Sequence, residues 1–363
     1  MLIGLLAVSA AAMAQGSLSK GLNAEAKGLG DLAESYYREA ADTNQTAALH
    51  LGILLEHSEK YLEASQWLAR ADSGALAMAH LALCNSELQR WPEAKQAAEK
   101  AIELADSSDG QTRSLAMSTL ALVYANDESY TNAMAWAHKA VKENPQSARA
   151  LNATGIILYK RGNDNEAISN FRKALQKDPR NTDAYFNLGT LYCYRGNPDL
   201  AITTLRKGLK EERRSVKLFY CLGWAFMLKG ETEKSIECLK SVIELDSGYV
   251  NAYNRLGDIH FNRAEYNQAV EQYRHAIRIA PDLTEAYRLL GRTYAEMGTF
   301  GKAISSYQKA LSINPKDSDT YCRIAELYAK QKQPKREQSN YRRAAKLGNK
   351  EAQQWCTHHG ITY

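Results

Sequence analysis

The sequence predicts an all-α protein, an α-solenoid of stacked antiparallel helix pairs. A period of 34 residues runs from Ser114 to Glu351 and keeps one register through seven consecutive units. A small residue marks each unit, and an aromatic or long apolar residue lies four positions before it. A period of this length is typical of helical hairpins that bury their apolar faces by stacking. The small residues are Ala121, Gly155, Gly189, Gly223, Gly257, Gly291 and Ala325.

The spacing inside one unit predicts its two helices. In residues 284–317, apolar or small residues at helical spacing mark the first helix. Gly298 provides the turn, because glycine adopts the backbone angles that a tight connection between helices needs. Pro315 ends the second helix, since proline has no amide hydrogen to donate. The first helix carries Tyr287, Leu290, Gly291 and Tyr294, and the second carries Ala303, Ile304, Tyr307, Ala310 and Leu311.

The pattern divides the chain into segments. It weakens upstream, where residues 15–113 are predicted to form divergent N-terminal helical repeats. Five residues, Asp109 to Arg113, are inserted before the regular array of residues 114–351. The total is roughly nine to ten units. Residues 352–363 are predicted to complete a C-terminal capping helix and a tail, the helix running from Lys350 to His358.

These landmarks resemble the tetratricopeptide repeat family. Departures occur where Ser235 and Glu337 replace an expected alanine, and where Arg213 and Ser247 replace the closing proline, but the register does not slip. The resemblance implies a right-handed solenoid whose partners are proteins or peptides. In residues 148–181 the matching residues are Leu151, Gly155, Leu158, Ala167, Phe171, Ala174 and Pro179.

The resemblance also implies where a partner would bind. The fifth, ninth and twelfth residues of each unit would line the inner wall of the solenoid. Exposed aromatic side chains beside arginines are the composition of protein-binding hot spots. The same aromatic side chains could instead belong to the core between repeats. The candidate groove residues are Asn152, Tyr159, Phe186, Tyr220, Trp224, Asp258, Phe261, Arg288 and Arg292, so we expect an aromatic middle and one basic side.

No motif in the sequence supports catalysis. The chain has no GxSxG elbow, no glycine-rich phosphate loop and no HExxH sequence, and no cysteine and histidine spacing matches a metal site. We therefore predict a protein that is not an enzyme, with no catalytic residues, no metal and no cofactor.

The net charge of +5 is small for 363 residues and does not favour nucleic acid as a partner. One basic stretch, from Lys330 to Lys350, stands out. Either it is a solvated helix face, or it attracts an acidic partner or an anionic membrane surface.

The first fourteen residues are apolar and end in an Ala-Met-Ala sequence, which is typical of a signal peptide cleaved after Ala14. The segment is too short to span a membrane, and no basic residue precedes it. We expect residues 1–14 to direct export to a periplasm or outside the cell. The alternatives are a first helix that caps the solenoid and a cytoplasmic protein.

Six cysteines are present, and most are expected to be buried free thiols, although Cys221 and Cys238 could approach each other as a disulfide. The leading hypothesis is a non-catalytic repeat scaffold that binds a protein or peptide partner in its concave groove. The alternative is an accessory subunit of a cell-envelope enzyme or assembly complex.

Overall fold

The structure is a computed structural model that describes residues 2–363, with side chains from residue 13 onward. It divides into two compact units, the N-terminal unit up to Leu191 and the C-terminal unit from Tyr192 to Tyr363. The described residues form 21 α-helices and no strand, so the all-α prediction is confirmed.

The N-terminal unit contains five helix pairs in which each helix packs against the next. Helix α11 follows them and contains the boundary between the units. The helices are α1 (Leu2–Ala26), α2 (Gly30–Ala40), α3 (Gln45–His57), α4 (Tyr61–Arg70), α5 (Ala75–Glu87), α6 (Trp91–Leu104), α7 (Gly110–Asn126), α8 (Tyr130–Glu143), α9 (Ala148–Lys160), α10 (Asp164–Lys177) and α11 (Thr182–Tyr194).

The C-terminal unit begins with the last residues of α11, continues with α12 and four helix pairs, and ends with a single short helix. Its helices are α12 (Pro198–Glu211), α13 (Val216–Lys229), α14 (Thr232–Leu245), α15 (Val250–Asn262), α16 (Tyr266–Ile279), α17 (Thr284–Glu296), α18 (Phe300–Ile313), α19 (Ser318–Lys330), α20 (Pro334–Lys346) and α21 (Lys350–His358).

The small landmark residues allow the two helices of a pair to approach closely. A Cβ atom added to Gly291 on α17 would lie 2.7 Å from Cε1 of Tyr307 on α18 and 3.0 Å from its Cγ. The Tyr307 ring is buried. The close neighbour of this landmark glycine is therefore an aromatic ring on the second helix of the same pair. Gly298 makes the turn between the two helices with a φ of 72°.

The first helix pair includes part of the predicted signal peptide. Helix α1 runs through the predicted cleavage position, and Ala14, Leu18 and Ala24 are buried in one core with Tyr37 of α2. Met1 lies outside the described residues, as do the side chains of residues 2–12. The structure does not test cleavage, which stays a prediction.

The five residues inserted before the regular array lengthen a helix rather than forming a loop. Helix α7 begins at Gly110 and has 17 residues, whereas α5 and α9 have 13. The side chain of Asp109 accepts a hydrogen bond from the backbone N–H of Thr112 and so caps the added turn. An additional helical turn preserves the register that follows.

The last helix covers the end of the C-terminal unit. Helix α21 has the bounds that the sequence predicts, and it packs on α20. The Trp355 ring stacks on Tyr341 with 4.3 Å between centroids, and Ala352 and Cys356 are buried beside them. A polar outer face on such a terminal helix keeps a repeat array soluble.

All six cysteines are buried and free, which agrees with the interpretation as buried thiols. Cys193 hydrogen-bonds with Cys221, and this contact together with burial raises the pKa of the Cys193 thiol. Within the described residues, no helix has the length and apolar character that a membrane span requires.

Candidate binding groove of the C-terminal unit

The first helices of the repeats supply the candidate groove residues of the C-terminal unit. Tyr220 and Trp224 are four residues apart on α13, and Arg288 and Arg292 are four apart on α17. Residues at this spacing lie on the same face of a helix. Helix periodicity therefore places each pair on one side, as the sequence predicts.

Arg292 and Phe261 form the best-defined contact of this face. The guanidinium carbon of Arg292 lies 4.0 Å from the centroid of the Phe261 ring. One Arg292 amino group, Nη2, lies 3.9 Å from Oδ1 of Asp258. The Arg292 side chain nevertheless remains 47% exposed. A guanidinium has five N–H donors, so most of the donors on Arg292 can serve a partner.

A buried tyrosine behind the groove holds Asp258 in place. The Tyr273 hydroxyl donates a hydrogen bond of 2.8 Å to Oδ1 of Asp258. Burial, and then the charge of Asp258, raise the pKa of Tyr273, so the phenol keeps its proton and remains a donor. The positions of Asp258 and of the Arg292 guanidinium beside it are therefore fixed by the core. The sequence did not identify Tyr273, which occupies a core position of the second helix in its repeat.

Aromatic side chains continue the groove along α13. The Tyr220 ring lies 5.2 Å from Tyr249, and its hydroxyl accepts a hydrogen bond of 3.4 Å from Nε of Arg255. Trp224 packs edge-on against Tyr194, with 4.9 Å between centroids. Tyr194 is 64% exposed, so its ring is accessible to a partner. Tyr194 is the last residue of α11 and lies outside the fifth, ninth and twelfth positions of its repeat, so the sequence pattern did not identify it.

One amide in the groove wall lacks a partner. Oδ1 of Asn254, on α15, is buried and accepts no hydrogen bond from the described residues. A buried acceptor without a donor costs about 1–3 kcal/mol. Asn254 lies one helical turn before Asp258, on the same face of α15.

The arginines of the groove alternate with carboxylates. Arg288 lies 3.2 Å from Oε2 of Glu285 and 3.6 Å from Oδ2 of Asp317, and Arg323 lies 3.0 Å from Oε1 of Glu326. Apart from Asp317, these residues line a cavity of about 460 Å³ between α17 and α19. The sequence predicted one basic side, but the structure shows a surface of mixed charge, because the acidic residues come from other helix positions.

Three of the predicted groove residues belong to the N-terminal unit, where their surroundings differ. Asn152 is only 7% exposed, and its Oδ1 accepts a hydrogen bond of 3.1 Å from Nδ2 of Asn187. Its amide is therefore used inside the unit. Phe186 is half-buried, and Tyr159 is exposed at the end of α9.

The N-terminal unit contains a buried charged cluster that the sequence pattern did not predict. The Glu56 carboxylate, 2% exposed, contacts Nδ1 of His80 and lies 3.4 Å from Nη2 of Arg149. Burial by itself would raise the pKa of Glu56, but His80 and Arg149 outweigh it and hold that pKa below its usual value. Arg149 is 93 residues from Glu56 in the chain, and no local pattern connects them. Within the described residues, no group of three His, Cys, Asp or Glu side chains could hold a metal ion.

Comparison with known proteins identifies the repeat. The family described as the cilia and flagella-associated protein 70 C-terminal domain, a tetratricopeptide-repeat family, matches residues 112–357, which is more than half of the chain. The chain belongs to this family. The predicted tetratricopeptide repeat is thereby confirmed, and its helical scaffold is consistent with protein–protein interaction.

Solved structures of tetratricopeptide type are also similar. The crystal structure of MamA is 30% identical, covers 46% of this chain and 96% of its own, and has a TM-score of 0.41. A monomeric IFIT1 mutant with m7Gppp-AAAA is 14% identical over 92% of this chain and 90% of its own, with a TM-score of 0.57. The human IFIT1 dimer with PPP-AAAA is 15% identical, covers 90% of this chain and 89% of its own, and has a TM-score of 0.56. The structural similarity to IFIT1 shows that this chain and IFIT1 share a helical-repeat fold. No curated protein sequence matches the chain.

Proposed function

We propose that the C-terminal unit is a non-catalytic scaffold that binds a segment of a protein partner in the groove formed by α13, α15 and α17. The observation that carries the proposal is the half-exposed Arg292, stacked on Phe261 and held by Asp258. An arginine supported in this way loses little conformational freedom when a partner binds, so most of its interaction energy contributes to affinity.

The chemistry of the groove defines the partner segment. Arg292 offers N–H donors to a carboxylate or to backbone carbonyl groups. Trp224 and Tyr194 offer apolar surface to an aromatic or aliphatic side chain, since their rings meet edge to face and part of each remains accessible. A segment with both polar backbone and a large apolar side chain meets these requirements.

The proposal can be tested by site-directed photocrosslinking in the cells that produce the protein. A benzoylphenylalanine at position 288, on the groove face, is expected to cross-link one partner. The matched control carries the same group at position 278, an exposed arginine on α16 outside the groove. Equal products from both positions would contradict a groove site. A single enzyme or assembly subunit recovered in fixed stoichiometry would instead favour the accessory-subunit hypothesis.

We also propose that the protein is exported, because its first fourteen residues are apolar and end in an Ala-Met-Ala sequence. N-terminal sequencing of the protein from its source is expected to begin at Gln15. Cleavage there would leave Leu18 and Ala24 in the core of the first helix pair. A mature protein that retains Met1, recovered from the cytoplasm, would contradict export.

A further inference from the structure

The positive charge of the chain is concentrated on α20. This helix of 13 residues carries five basic residues and one acidic residue, a net charge of +4. The whole chain carries +5. The rest of the chain therefore has a net charge of only +1. The basic residues are Lys335, Arg336, Arg342, Arg343 and Lys346.

Most of these basic side chains line one cleft. A cavity of about 500 Å³ opens on α20 and is lined by Lys335, Arg342, Arg343 and Lys346, with Gln338 and Ser339 between them. Among the residues that the structure describes, no carboxylate lines this cleft. Within the part of the chain that the structure describes, none of the four cations forms an ion pair, unlike the paired arginines of the groove.

The spacing of the cations makes a continuous stripe. Lys335, Arg342 and Lys346 are separated by seven and four residues, so they lie along one face of the helix. With a rise of 1.5 Å per residue, the stripe is roughly 16 Å long. Ser339 lies midway and adds a hydroxyl that can donate or accept a hydrogen bond.

The opposite face of α20 is already covered. Tyr341, Ala344 and Ala345 are buried, and Trp355 of α21 stacks on Tyr341. An amphipathic helix that enters a membrane surface needs an accessible apolar face, and α20 has none to offer. The cleft is therefore a fixed, solvent-facing basic surface on a helix held by its neighbours.

We propose that this cleft binds an acidic segment of a polypeptide, with carboxylates that pair with the four cations. The proposal does not depend on the groove function, because the cleft lies on α20 and the groove on α13, α15 and α17. A stripe roughly 16 Å long, with four cations, makes fewer phosphate contacts than the six to ten of a typical nucleic-acid site. Charge complementarity, together with glutamine and serine side chains, suits a peptide better.

The test measures binding of a fluorescein-labelled octaglutamate peptide to the full chain by fluorescence anisotropy. The variant reverses Lys335, Arg342, Arg343 and Lys346 to glutamate. Circular dichroism verifies that each variant is folded. The matched control reverses four other exposed basic residues of the same unit, Lys207, Lys210, Arg213 and Arg214.

The reversal in the cleft is expected to raise the Kd of the peptide about tenfold or more, and the control about twofold at most. Added salt should weaken binding of the native chain, because the cations are exposed. Equal losses in both variants would overturn the proposal. Tighter binding of an oligothymidine or of phosphatidylserine vesicles than of the peptide would also overturn it. Loss of peptide binding in Arg292→Ala, with the cleft intact, would show that the peptide uses the groove instead.

Discussion

The guanidinium of Arg292 on α17 stacks on the ring of Phe261 on α15, at 4.0 Å from the ring centroid. The two residues belong to consecutive repeats, so their contact joins the faces of two helix pairs. It also holds a cation in a half-exposed position on the groove surface.

The stacking energy can be measured in the isolated protein. A double-mutant cycle with Phe261→Leu and Arg292→Met is expected to give a coupling free energy of about 0.5–1 kcal/mol, the range for an exposed cation–π contact. The measurement is the free energy of unfolding in urea for the four proteins. Additive effects, within about 0.3 kcal/mol, would show that the contact is absent in solution.

Two glycines at equivalent repeat positions should respond differently to alanine. An added Cβ at Gly291 would lie 2.7 Å from the buried Tyr307 ring, whereas at Gly223 the nearest atoms are 3.4 Å away. Alanine gains up to about 1 kcal/mol over glycine within a helix, and overpacking costs about 1–3 kcal/mol. We therefore expect Gly291→Ala to destabilise the protein and Gly223→Ala to be neutral or stabilising. Equal unfolding midpoints in urea for the two variants would contradict this packing.

Substitution of Glu56 in the buried cluster of the N-terminal unit should destabilise the protein more than substitution of an exposed carboxylate. Glu56→Gln leaves His80 and Arg149 without their carboxylate and is expected to cost about 3 kcal/mol in the free energy of unfolding. The control, Glu63→Gln, removes an exposed contact with Arg38 and is expected to cost less than about 1 kcal/mol. Similar losses for the two variants would contradict the buried cluster.

The same cluster predicts a dependence of stability on pH. The pKa of Glu56 is lowered in the folded protein from a reference value of 4.5, so the unfolded chain binds a proton first as the pH falls. The contribution of Glu56 to stability is complete above pH 4.5 and is lost as the pH falls through its folded pKa. The measurement is the free energy of unfolding of the native protein and of Glu56→Gln between pH 6 and pH 3. We expect the variant to lose less stability than the native protein as the pH falls. Parallel curves would contradict the prediction.

The cysteines should react slowly while the protein is folded. Burial raises the pKa of Cys238 to about 11 and that of Cys322 to about 12, so both remain protonated at neutral pH. The thiolate is the reactive form, and access is also restricted. We expect slow labelling by a disulfide reagent at neutral pH, and labelling of all six cysteines after denaturation without reductant. Fewer than six would reveal a disulfide, such as the alternative pairing of Cys221 with Cys238.

The repeat could be predicted from the sequence because its signals are local. Gly291, Gly298 and Pro315 each act within a few residues, and the structure places them at a close contact, a turn and the end of a helix pair. The contact between Glu56 and Arg149 could not be predicted, because it depends on the way successive repeats stack. The pairing of Arg292 with Asp258 could not be predicted for the same reason, since the two residues belong to successive repeats.

The central claim is that the face containing Phe261 and Arg292 binds a polypeptide segment. The most direct test is isothermal titration calorimetry of the cross-linked partner's segment, as a synthetic peptide, against the native chain and Phe261→Ala/Arg292→Ala. The control variant is Arg278→Ala, whose side chain is exposed on α16. Truncation of a hot spot costs about 2 kcal/mol, so we expect a Kd about 30-fold higher for the double variant and an unchanged Kd for the control. An unchanged Kd for a correctly folded double variant would contradict it.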